Sequence, residues 1–63
     1  MTELQTMIIE AVAFKPKEID KIIAEIIDKA GDKHLSVKIK ATALALVADG
    51  LLNMNDMWKI EKL

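Results

Sequence analysis

From Ser36 to Leu63 the chain carries a helical apolar pattern, a glycine stop and then two short extended stretches. Ile39, Ala43, Leu46 and Val47 recur at three-and-four spacing, Asp49-Gly50-Leu51-Leu52 ends the run, and Met57-Trp58-Lys59-Ile60-Glu61-Lys62-Leu63 follows Met54-Asn55-Asp56. No other feature constrains the fold as much, because a helix that stops at glycine and passes into two strands puts a hairpin beside that helix. Asn and Asp accept turn conformations, and Trp58, Ile60 and Lys62 alternate with Lys59 and Glu61, so residues 51 to 53 are expected to pair antiparallel with residues 57 to 62. Met57, Ile60 and Leu63 also fit helical spacing. A short C-terminal helix capped by Asn55 or Asp56, in an all-α small bundle, is therefore the alternative.

Two further helices precede this segment. Thr2 is a good N-cap with Gln5 at the capping-box position, and Leu4, Met7, Ile8, Ala11 and Val12 form an apolar face, which predicts a helix over residues 2 to 14. Pro16 suits the first position of a helix over residues 16 to 30, and Phe14 and Ile19 stand where a hydrophobic staple needs them. Ile19, Ile22, Ile23, Ile26, Ile27 and Ala30 make one stripe, Lys21-Glu25 and Glu25-Lys29 are i,i+4 pairs, and Gly31 supplies the stop. The third helix, residues 36 to 49, takes Ser36 as N-cap, and Gly50 is expected to bring Leu51 back against Leu46 in a Schellman turn. The fold class is thus mainly α with a small β-wing, in a single domain covering residues 1 to 63.

A chain of 63 residues holds one core that buries about 60% of the unfolded surface. Its apolar runs are far shorter than the roughly 20 residues of a membrane span, no basic and apolar leader opens it, and it has no cysteine, so a cytoplasmic protein without disulfides is expected. All nine basic residues are lysine. The bidentate guanidinium contact to guanine is therefore absent, and any nucleic-acid binding would rest on lysine and phosphate.

Charge is unevenly spread. Residues 1 to 32 carry four lysines against seven acids, and residues 33 to 63 carry five against three. Between residues 33 and 48, Lys33, His34, Lys38 and Lys40 occur with no acid at all, a pattern that is either a solvated face or the side turned to an anion. Val37, Ala41, Leu44 and Ala48 form a second apolar stripe on the third helix, which makes it apolar almost all round and suits it to a central or oligomeric position.

Catalysis, a metal and a cofactor are not expected. His34 has no cysteine or second histidine to join it, and Glu18, Asp20, Glu25 and Asp28 lie on the polar side of a helix, where carboxylates are normally solvated. Gly31 and Gly50 each serve as a helix stop, so no phosphate loop can be built from them. Trp58 is read as a plug closing a core poor in aromatics, with Met54 and Met57 filling gaps in it.

The run Ile39, Ala43, Leu46, Asp49-Gly50-Leu51-Leu52 followed by Trp58-Lys59-Ile60 resembles the back half of the winged helix-turn-helix superfamily, in which a recognition helix ends at glycine and an apolar pair opens the wing. Closure on Trp-Lys-Ile is similar to the end of Z-DNA-binding winged domains, whose ligand-contacting asparagine and tyrosine have no counterpart between Ser36 and Ala48. The resemblance implies a three-helix domain that binds DNA through the third helix and the wing.

Two functions follow. In the first, a small DNA-binding protein, a transcriptional regulator, uses Ser36, Lys38 and Thr42 in the major groove and Lys33, His34, Lys40 and Lys59 on phosphates, while Lys21 and Lys29 take no part. In the second, a protein-interaction module, a homodimer or an adaptor, uses Val37, Ala41, Leu44 and Ala48 or the Met54 to Trp58 region. The two are compatible in a dimeric DNA-binding protein.

Overall fold

The computed structural model describes all 63 residues. Its elements are α1 (Glu3–Ala11), β1 (Lys17–Glu18), α2 (Ile19–Ala30), a 3₁₀ turn (Lys33–Leu35), α3 (Ser36–Ala48), β2 (Leu52–Met54) and β3 (Lys59–Lys62). The strands form one antiparallel sheet in the order β1-β3-β2. This is the mainly α fold with a β-wing, and the strand at Lys59–Lys62 excludes the C-terminal helix.

The first cap forms as expected. Thr2 Oγ1 accepts from the Gln5 N–H at 3.2 Å and Gln5 Oε1 accepts from the Thr2 N–H at 2.8 Å, so two otherwise orphaned donors are satisfied reciprocally. The expected boundary between the first two helices is wrong, however: α1 stops at Ala11 and α2 begins at Ile19. The intervening chain has another task, since Lys17 and Glu18 pair with Ile60 and Lys59 as an edge strand. Pro16 fits ahead of such a strand as well as it fits a helix start, and it disfavours helix at Lys15. Phe14 is fully exposed, at 100%, so the staple with Ile19 does not form.

The stop at Gly31 holds, with φ +70° and its N–H donating to the Ile27 carbonyl at 2.8 Å. Beyond it Asp32 Oδ1 accepts from the His34 N–H at 2.9 Å and starts the 3₁₀ turn that feeds α3. Ser36 is already helical, with φ −54° and ψ −47°, so it is not the cap: α3 follows Leu35 without a side-chain cap, and Asp32 caps the 3₁₀ turn ahead of it. At the far end the Leu51 N–H donates to the Leu46 carbonyl at 3.0 Å and the Gly50 N–H to the Val47 carbonyl at 3.1 Å. Those two bonds are a Schellman turn.

Nine residues are buried, and all are apolar: Ile8 and Val12 of α1, Ile22 and Ile26 of α2, Ile39, Ala43 and Leu46 of α3, and Leu52 and Ile60 of the sheet. α3 packs on both other helices and on β2, which makes it the central element. Its buried side is the predicted one.

The wing forms antiparallel as expected, with β2 starting one residue later and β3 two residues later than the expected segments. Leu52, Asn53 and Met54 stand opposite Lys62, Glu61 and Ile60, and Asp56, Met57 and Trp58 form the loop. The Trp58 N–H donates to the Asn55 carbonyl at 3.0 Å, and Asn55 Oδ1 accepts from the N–H groups of Met57 and Lys59 at 2.9 and 3.0 Å. Trp58 itself has φ +60° and is 78% exposed. It occupies the left-handed position of a three-residue hairpin loop and does not plug the core. Met54 packs against the core, while Met57 is exposed at the wing tip.

Candidate functional site

α3 has one face in the core, and its opposite face defines the candidate site. Ile39, Ala43 and Leu46 are buried, while Val37, Ala41, Leu44 and Ala48 all lie outward, with Val37 78% and Leu44 43% exposed. Positions 37, 41, 44 and 48 follow helical spacing and form one stripe about 16 Å long at 1.5 Å per residue. The expected interface residues are thus brought together, on the surface, in the centre of the outward face.

The expected DNA contacts are not brought together in the same way. Lys33 and His34 are exposed on the 3₁₀ turn, and Lys38 and Lys40 are exposed on α3. Being two residues apart on a helix, Lys38 and Lys40 point to opposite flanks of the apolar stripe. Lys38 and Thr42 line a shallow groove against the start of α1, with Thr2, Gln5, Met7 and Leu35. The Thr42 hydroxyl donates to the Lys38 carbonyl at 2.7 Å, and Ser36 and Thr42 are both half-buried. A hydroxyl engaged in that way has no proton left for a base edge.

Lys59 lies elsewhere. β1 stands next to β3, so Lys59 faces Glu18 across the strands and shares a depression with Lys15, Lys17 and Lys21, which Pro16 and Glu18 also line. Three of these lysines belong to the half of the chain that is acidic on balance. The linear charge pattern could not have grouped them, because the grouping depends on a strand of two residues that has no apolar alternation to betray it.

Two carboxylates are tuned by their neighbours. Lys17 Nζ donates to both oxygens of Glu25, at 3.1 and 3.0 Å, the only ion pair in the chain, so the partner of Glu25 is Lys17 and not the i,i+4 residues Lys21 and Lys29. That hydrogen bond holds the Glu25 carboxyl below the usual 4.5, with the charges of Lys17, Lys21 and Lys29 adding to it. Glu61 is lowered as well, first by the Asn53 side chain and then by that of Asn55. Both are structural ties that fix β1 to α2 and close the wing.

No three His, Asp or Glu side chains gather where they could hold a metal ion. No helix is long and apolar enough to cross a membrane. Comparison with protein-family models, with curated proteins and with solved structures gives no match to this chain.

Proposed function

We propose that this protein is a protein-interaction module whose contact surface is the outward face of α3. One observation carries the reading: the centre of that face is Val37, Ala41, Leu44 and Ala48, with no polar side chain among them. Laid in a major groove, such a face offers base edges only methyl contacts, of the kind thymine alone can use, and leaves every donor and acceptor of the groove unread. Against another protein the same stripe is a desolvated centre, and Lys38, Lys40 and Asp49 supply a polar rim. The reading assigns no catalysis and no cofactor, and it places the protein in the cytoplasm.

The test is a photo-crosslinking amino acid placed at Ala41 in cells that make the protein, with the same group at Asp28 on the exposed side of α2 as control. Adducts to protein from residue 41 and none from residue 28 are expected. No protein adduct from residue 41 overturns the reading.

A second reading, contact with the DNA backbone by a small winged-helix regulator, is favoured by a separate observation. The N-terminal end of α3 has no acidic residue in its first turn and carries Lys38 and Lys40, with Lys33 and His34 on the 3₁₀ turn that Asp32 opens just ahead of it, and a positive helix end flanked by lysines attracts phosphate. Titration with random-sequence duplex at low and moderate salt, followed by backbone NMR shifts, tests it. Shifts confined to residues 33 to 40 and the wing support it, and an unchanged spectrum removes it.

A further inference from the structure

We propose that the partner seated on α3 is a second copy of this chain, packed antiparallel about a two-fold axis that runs between the two helices, level with the step from Thr42 to Ala43. The proposal rests on the reading of the outward face as a docking surface and names its occupant.

The stripe is self-complementary in that one arrangement. An axis between Thr42 and Ala43 sets Val37 opposite Ala48 of the second copy, and Ala41 opposite Leu44 of the second copy. At each level a larger side chain meets a small one, so the two helices can approach closely with little void. Parallel packing sets Leu44 against Leu44 and Ala41 against Ala41, which crowds one level and hollows the other. A two-fold interface requires each residue to find its complement on the same patch, and a stripe shaped for a foreign partner has no reason to satisfy that condition.

The rim obeys the same symmetry. Lys38, Thr42, Ala45 and Asp49 run along one flank of the stripe, and the axis returns that flank to itself with its ends exchanged. Lys38 of each copy is then level with position 47 of the other, about 3 Å short of Asp49 on the same flank, which the long lysine side chain spans to form two opposite-charge pairs. Within a single chain both side chains are exposed and neither has an ionic partner. Parallel packing would exchange the flanks and put Lys38 of one copy beside Lys40 of the other, a like-charge pair. Charge and shape therefore select the same orientation.

Sedimentation of the full chain from about 1 to 500 µM tests the proposal, together with variants. The wild type is expected to pass from 7.0 kDa to twice that mass within this range. Leu44→Glu puts an unpaired charge in the centre of the contact and should weaken association at least about a hundredfold. Lys38→Asp and Asp49→Lys should each weaken it roughly threefold to tenfold, and the double exchange should restore it, since two exposed pairs are lost or regained together. The charge variants lie on the surface, so they keep the test alive if Leu44→Glu unfolds the chain.

A wild type that stays at monomer mass to 500 µM overturns the proposal, as does a double exchange that fails to restore association. The outcomes separate the two readings. A monomeric wild type that still gives protein adducts from residue 41 removes the second copy and leaves the docking surface, whereas the absence of any adduct removes both.

Discussion

The carboxylate of Glu61 on β3 accepts from Asn53 Nδ2 on β2, its direct cross-strand partner, at 2.8 Å, and its second oxygen accepts from Asn55 Nδ2 at 3.1 Å. Asn55 in turn organises the loop through its own side-chain oxygen, so one carboxylate anchors the residue that shapes the wing tip.

Acid should loosen the wing. The folded-state pKa of Glu61 is below the ordinary 4.5, so its contribution to stability is complete above that value and is lost as the pH falls through the folded pKa. NMR titration should show Glu61 protonating at lower pH than an unstructured glutamate. Asn53→Ala should return its midpoint toward 4.5. An unchanged midpoint in that variant would show the Asn53 bond to be without effect.

The two left-handed residues on either side of β2, Gly50 before it and Trp58 in the hairpin loop, should respond oppositely to substitution. Gly50 has φ +80° and open space where a Cβ would go, so Gly50→Ala is costly through backbone strain alone, about 1 kcal/mol. Trp58→Gly relieves the same strain at φ +60° with little packing to lose, and should stabilise by up to about 1 kcal/mol. In a domain of this size each change moves Tm by roughly 4 to 8 °C, which thermal unfolding resolves readily. A fall in Tm for Trp58→Gly would mean that the indole ring supports the fold.

Capping gives a sharper contrast between sequence and structure. Thr2→Ala removes the hydroxyl that accepts from the Gln5 N–H, leaving the reciprocal bond from the residue 2 N–H to Gln5 Oε1, and should cost about 1 kcal/mol. Ser36→Ala should cost almost nothing, because the serine lies within the helix and makes no cap bond. Asp32→Ala, by contrast, removes the acceptor of the His34 N–H and should destabilise the α2-α3 turn. Chemical denaturation of the three variants would read this order directly, and equal losses for Ser36 and Asp32 would contradict it.

Should duplex DNA bind at all, the lysines can be ranked. Replacing a phosphate-contacting lysine by alanine lowers the salt slope of binding by about one unit. Lys33, Lys38 and Lys40 test the α3 end, and Lys15 and Lys59 test the depression beside β1. Lys29 is the sound control. Lys21 is not, because it lines that depression with Lys59. A flat response in all these variants would leave only the protein-interaction reading.

What the sequence disclosed follows from how local each determinant is. The Thr2-Gln5 box, the glycines at 31 and 50 and the hairpin each depend on a few neighbouring residues, and the buried faces of α2 and α3 depend on a period of 3.6. These were legible, as was the outward stripe of α3. The region from Val12 to Glu18 was not, because Pro16 satisfies the stereochemistry of a helix start and of a strand entry equally well, and only Ile60 and Lys59, far along the chain, decide between them. Trp58 was misplaced for a similar reason: size and apolarity argue for the core, but the turn that Asn55 nucleates places residue 58 outside it. The basic depression was invisible because it exists only once β1 and β3 meet.

The central position of β3 sets the tempo at which the molecule can assemble. Its pairing with β2 closes across a three-residue loop, an event that isolated hairpins complete in roughly 1 to 10 µs. Its pairing with β1 joins residues about forty positions apart and carries the entropy of closing a loop that contains α2, α3 and the wing itself. The wing can therefore take shape early and wait. The two-residue strand behind it is expected to pair after the hairpin, so the lysines that β1 delivers reach Lys59 only once the wing has taken shape.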